Sequence, residues 1–173
     1  MVPPNLPSIY LKPGEMVFCK EPSVVSTILG SCVSVTLFHR GLRIGAICHG
    51  LLPSCKCSDG CTHDCAEGTR YVHCSIHRMF NQFLDLGVNA REIEAKLFGG
   101  SDMFRTAVTR VGTINVGAQN IRSALSVLSG FGVVPAATDT GGTEGRKIFF
   151  ITGTGDIFLK RVKRTLCEEV PSV

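Results

Sequence analysis

Tryptophan is missing from this 173-residue chain, tyrosine occurs twice, and aromatic residues make up only 7% of it. Charge is sparse as well, at 18% of residues, and leaves a net charge of +4. That balance admits an acidic partner. No dense Lys/Arg block interleaved with aromatics is present, so no nucleic-acid partner is expected. No apolar run approaches the length of a membrane span, which argues against membrane insertion. The N-terminus also lacks the charged, then apolar, pattern of an export signal. The expectation is a cytoplasmic protein whose nine cysteines stay reduced, and an odd count argues against a complete disulfide framework.

What the chain does have is 44% hydrophobic residues and 19 glycines, the composition of a compact, strand-rich domain with many tight turns. Four prolines in residues 1–13 suggest an extended N-terminal arm. The rest reads as one domain over residues 14–165, with a cysteine-rich loop at 54–68 and a tail at 166–173. Short strands with turns near Pro22 and Gly30 occupy residues 15–37. Ile76, Met79, Phe80, Phe83, Leu84 and Leu86 mark a helix over 71–86, with Gly87 as its stop. Ile93, Ala95 and Leu97 alternate as a strand ending at Gly99-Gly100. A second helix is expected over 117–129, with Asn115 near its start and Gly130 after it. A strand at 133–138 and a closing hairpin, 147–151 with 157–162, complete an α+β fold: a layered sandwich with a mixed or antiparallel sheet and two main helices.

The chemistry concentrates at Leu29-Gly30-Ser31-Cys32, followed seventeen residues later by His49. A thiol attacks well only as a thiolate, and a nearby imidazole is a usual way to make one. The residues between read as a β-hairpin, with Val33, Val35 and Leu37 alternating against Ile44, Ala46 and Cys48. A turn centred on Arg40-Gly41 pairs Leu37 with Ile44, Val33 with Cys48, and Cys32 with His49. The apolar pairs then share one face and the dyad meets on the other. The competing reading is a buried cysteine and a rim histidine with no chemistry.

A second cluster is Cys55, Cys57, Cys61 and Cys65, with His63 among them and Cys74 shortly after. Gaps of this size suit tetrahedral zinc, and four of these six side chains would serve. The alternative is a solvated loop of reduced thiols.

Six sequence blocks resemble the CheD family of chemoreceptor glutamine deamidases. They are Ser26-Thr27-Ile28-Leu29-Gly30-Ser31-Cys32-Val33, Ile44-Gly45-Ala46-Ile47-Cys48-His49-Gly50-Leu51-Leu52-Pro53, Arg70-Tyr71-Val72, Leu97-Phe98-Gly99-Gly100, Asn115-Val116-Gly117-Ala118-Gln119-Asn120 and Asp139-Thr140-Gly141-Gly142, in family order. The resemblance implies a fold like that of the cytotoxic necrotizing factor deamidase toxins. It also implies a catalytic cysteine at Cys32, a histidine at His49, and a threonine six residues before the cysteine. That last position holds Ser26 here, with Thr27 beside it, and serine keeps the hydroxyl that would orient the imidazole. The implied reaction converts receptor glutamines to glutamate through a cysteine thioester and requires no cofactor. The implied partners are the cytoplasmic helical bundle of methyl-accepting receptors and the CheC phosphatase. An alternative role is regulatory binding to CheC with little or no deamidase activity.

Overall fold

The computed structural model describes residues 5–55, 67–102 and 115–162. Strands β1 (Ser8–Tyr10), β3 (Val24–Leu29), β8 (Gly145–Ile151) and β9 (Ile157–Val162) form one sheet in the order β1-β3-β8-β9. A second sheet runs β2-β5-β4-β6-β7, from β2 (Met16–Cys19), β4 (Val33–His39), β5 (Ile44–Cys48), β6 (Ile93–Gly99) and β7 (Ala137–Thr140). Helices α1 (Val72–Leu84) and α2 (Val116–Gly130) cover one face of the five-stranded sheet, and the four-stranded sheet packs on the other. This is the layered α+β architecture expected from the pattern, with two mixed sheets rather than one.

Strand alternation sorts side chains between two apolar layers. Val33, Val35, Leu37, Ile44, Ala46 and Cys48 face the helices. Phe38, Ile47 and Phe98 face the other sheet, where they meet Leu11, Val25, Leu29, Ile148 and Phe150. On α1 the run Ile76, Met79, Phe80, Phe83 follows the helical repeat, and all four are fully buried. Each such side chain contributes roughly 1.5–3 kcal/mol.

Several boundaries differ from the expectation. Helix α1 ends at Leu84, and α2 runs through Gly130. The stop of α2 is Gly132, at φ +70, with Gly132 N–H donating to Ser129 O and Val133 N–H to Leu128 O. That left-handed cap draws Val133 into the core and delays the strand expected at 133–138 until Ala137. Within the expected N-terminal arm, residues 8–10 pair in parallel with β3 and Leu11 is fully buried. A domain starting at residue 14 therefore leaves out an edge strand.

The hairpin register moves by two. His39 pairs with Ile44 and Leu37 with Ala46, closing a four-residue loop in which Arg43, rather than Gly41, takes the positive φ, at 55°. A shift of two keeps every side chain on its face, so the apolar layer forms as expected. Beyond the paired strands, Val33 bridges Gly50, with hydrogen bonds of 3.0 and 2.9 Å.

Candidate active site

Cys32 stands just before β4 and His49 just after β5, both on the face toward the four-stranded sheet. The Val33–Gly50 bridge sets Cys32 across from residue 51, so Cys32 and His49 are diagonal neighbours rather than directly opposed. Diagonal positions in an antiparallel pair lie about 7 Å apart, still within reach of a ring side chain.

The hydroxyl that meets His49 belongs to Thr27, not to Ser26. Thr27 Oγ1 lies 2.7 Å from His49 Nδ1, and its hydroxyl donates to the Leu11 carbonyl at 2.8 Å. With its one proton committed to Leu11, Thr27 accepts from His49, so Nδ1 carries the hydrogen and Nε2 keeps the lone pair. Val25, Thr27 and Leu29 point between the sheets, whereas Ser26, one residue away, points to the outer face beside Tyr10 and Phe149. Strand parity is the signal that selects Thr27; counting back from the cysteine misses it by one residue and therefore by a whole face.

The backbone of His49 is held from both sides: Gly14 N–H donates to its carbonyl and its own N–H to the Glu15 carbonyl, at 2.8 and 2.9 Å. The Leu11 carbonyl and this Gly14–Glu15 pair bring the N-terminal segment into the site, a contribution no side-chain motif announces.

Burial dominates the electrostatics. His49, 2% exposed, has its pKa lowered from 6.5 to about 4 by desolvation, against weaker raising effects from the Leu11 carbonyl and the Glu15 charge. Burial likewise pushes the Cys32 thiol above its ordinary range, opposed by its own backbone amide. The resting pair is thus neutral thiol and neutral imidazole. Nε2 can take the thiol proton as the sulfur attacks.

The loop before Cys32 is held by its carbonyls. Gly30 O accepts from Ser101 N–H and Cys32 O from Gly100 N–H, both at 2.8 Å. Asn120 Nδ2 donates to Ser31 O at 3.1 Å. Gly99 is required here: at φ +102, any Cβ would collide with the Cys32 carbonyl. The Gly100 and Gly141-Gly142 blocks line one shallow depression of about 190 Å³ with Asp102, Asn115 and Ala118. Behind it the buried Arg146 guanidinium donates to Asp139 Oδ1 and Gly141 O at 2.7 Å and to Ser101 Oγ at 2.6 Å. Arg146 thereby braces both glycine turns, a role that sequence reading missed among ordinary strand residues.

Of the zinc candidates, Cys57, Cys61, Cys65 and His63 lie outside the described residues. Cys55 Sγ is 3.7 Å from Cys74 Sγ. Cys74 is disulfide-bonded, against the expectation that every cysteine is reduced. Among the described residues, no group of three or more His, Cys, Asp or Glu side chains could hold a metal ion, and no helix is long and apolar enough to cross a membrane.

A family model described as CheD chemotactic sensory transduction matches residues 51–161. The "Probable chemoreceptor glutamine deamidase CheD 2" of Geobacter sulfurreducens is 49% identical over 162 residues, covering 94% of each chain. The "Probable chemoreceptor glutamine deamidase CheD" of Maridesulfovibrio salexigens is 34% identical, over 90% of this chain and 92% of its own. The protein of the same name in Nitratidesulfovibrio vulgaris is 35% identical, over 93% of this chain and 80% of its own.

Proposed function

This chain belongs to the CheD family, and from that premise we propose that it is a protein-glutamine deamidase acting on chemoreceptors in the cytoplasm. The observation that carries the mechanism is the Leu11–Thr27–His49 hydrogen-bond chain, which commits Nδ1 and leaves Nε2 as a base on the face it shares with Cys32.

His49 Nε2 accepts the Cys32 proton as sulfur attacks the side-chain carboxamide carbon. The carbonyl oxygen becomes an oxyanion toward the Ser31 and Cys32 amides, where one well-placed donor is worth about 3 kcal/mol. Collapse of the tetrahedral adduct breaks the carbon–nitrogen bond, and the imidazolium returns its proton so that ammonia leaves. Water then attacks the γ-glutamyl thioester, with His49 taking its proton and passing it to the departing thiol. The product is glutamate, and Cys32 and His49 return to their starting state.

Thr27 keeps the ring in this tautomer, and the low basicity of His49 makes the imidazolium short-lived. No step draws on a metal or an organic cofactor.

The test is mass spectrometry of a receptor cytoplasmic fragment after incubation with the protein. Wild type adds the roughly one-dalton gain of amide hydrolysis at particular glutamines, while Cys32→Ala, lacking the nucleophile, adds none. Full deamidation by Cys32→Ala defeats the mechanism. A wild-type protein that leaves the receptor unchanged yet binds the CheC phosphatase would instead establish the regulatory role.

A further inference from the structure

Helix α2 carries a buried amide whose position has no packing explanation. Asn120 is fully buried, and its Nδ2 donates to two carbonyls, Ser31 O at 3.1 Å and Leu51 O at 2.9 Å. Both partners are acceptors, which determines the orientation of the amide. Its Oδ1 is buried with no partner among the described residues. Leaving a buried acceptor unpaired is costly, and an apolar side chain of similar size would avoid that cost.

The two carbonyls belong to the two halves of the site. Ser31 immediately precedes the nucleophile, and Leu51 follows the base by two residues. One side chain therefore clamps the Cys32 loop to the strand end that carries His49. The small residues of α2 and the adjoining turn make the reach possible. Gly117 lies so close to the Gly100 carbonyl that a Cβ would sit 2.5 Å from it, which brings the start of α2 hard against the turn behind Cys32.

The clamp also sets a direction. In a trans peptide the C=O and the following N–H point oppositely, and no peptide here is cis. Drawing Ser31 O toward Asn120 therefore turns the Cys32 N–H away from the helix. Ser101 acts in the same sense one peptide earlier, through Gly30 O.

We propose that Asn120 is a positioning residue that clamps the Ser31 and Leu51 carbonyls and thereby aims the Cys32 amide at the oxygen of the reacting carboxamide. The inference rests on the deamidase reading and assigns its oxyanion donor a support.

The experiment compares wild type, Asn120→Ala, Asn120→Ser and Ser123→Ala on a receptor cytoplasmic fragment, each confirmed folded by thermal melting. Ser123 Oγ makes the neighbouring tether, donating to Pro53 O at 2.7 Å, and does not touch the Cys32 loop. The Asn120→Ser hydroxyl keeps a donor near the clamp, a milder variant should Asn120→Ala fail to fold. The second readout is alkylation of Cys32 by iodoacetamide across pH, because displacement of iodide develops no oxyanion. The expected result is a kcat about a hundredfold lower in Asn120→Ala, of the size seen when an oxyanion donor is misplaced, and a smaller but measurable fall in Asn120→Ser. KM and the alkylation profile stay as in wild type, and Ser123→Ala keeps its kcat. An Asn120 variant with wild-type kcat overturns the proposal. So does a parallel fall in alkylation, or an equal loss in Ser123→Ala. A wild-type protein with no deamidation at all defeats the underlying reading instead, so the two failures are distinguishable.

Discussion

The two apolar layers of this molecule share the same five-stranded sheet, yet only one of them carries the candidate dyad. On the helix side, Cys48 is fully buried among Val33, Ile76 and Phe80, and its thiol is pushed up to about 12. On the other side, the next residue along, His49, meets Thr27 and shares its face with Cys32. Adjacent residues at the end of β5 thus have opposite fates, decided by strand parity. The helix side excludes water and polar partners, so its cysteine is inert filling. The sheet–sheet side opens at its rim, where Cys32 is partly exposed while the Thr27 hydroxyl and the His49 imidazole lie buried behind it.

That contrast is sharpened most by separating Thr27 from Ser26, neighbours on β3 that point to opposite faces. Thr27→Val keeps the shape but removes the acceptor for His49 Nδ1–H, freeing the ring to flip or change tautomer. A loss in kcat of about a hundredfold or more is expected, since a misplaced proton on a catalytic imidazole is costly. Ser26→Ala leaves kcat unchanged. Steady-state deamidation kinetics check both, and equal losses from the two variants would break the assignment by face.

The next effect is on stability, through His49. An unfolded histidine binds a proton below about pH 6.5, whereas folded His49 does so only near pH 4. Between those values the unfolded chain holds more protons, so stability rises with pH across the window. The contribution is complete above pH 6.5 and is lost as pH falls toward 4, a change of about 3 kcal/mol. Urea unfolding of wild type and His49→Gln at pH 7 and pH 4.5 isolates it from the carboxylates, which titrate in both proteins. A wild-type loss no larger than that of His49→Gln would place the imidazole in a more polar setting than the structure does.

How much of this was legible in the sequence depends on whether a signal is local. The hairpin partners, the helical face of α1 and the strand at Ile93–Gly99 follow from hydrophobic periodicity, which records burial directly. The faces of Cys32 and His49 follow too, because parity survives a register error of two. The register itself was not legible, since the Arg43 turn, with a non-glycine residue at positive φ, carries no composition signal. Thr27 was legible from the alternation of Val25, Thr27 and Leu29, although a count of residues from the cysteine pointed to Ser26. The contributions of Leu11, Asn120 and Arg146 were not, because Leu11 and Asn120 act wholly, and Arg146 through Ser101, across 16 or more residues of chain on atoms that pattern reading does not pair.

The smallest expected effect is none at all, and it divides the dyad from the cysteine cluster. Nucleophile, base and oxyanion donors in the proposed reaction are all groups of the chain itself. Their protonation follows from burial and hydrogen bonding. EDTA treatment should therefore leave the initial rate of deamidation unchanged, even if zinc ordered the loop that starts at Cys55, because such a site would be structural. Elemental analysis of protein expressed with added zinc asks the separate question of occupancy. Less than about a tenth of an equivalent leaves the loop as unligated thiols. Activity lost on chelation and retained in Cys32→Ala would reverse the roles of the two regions, making the loop the centre of the chemistry and the thiol at the sheet rim a bystander.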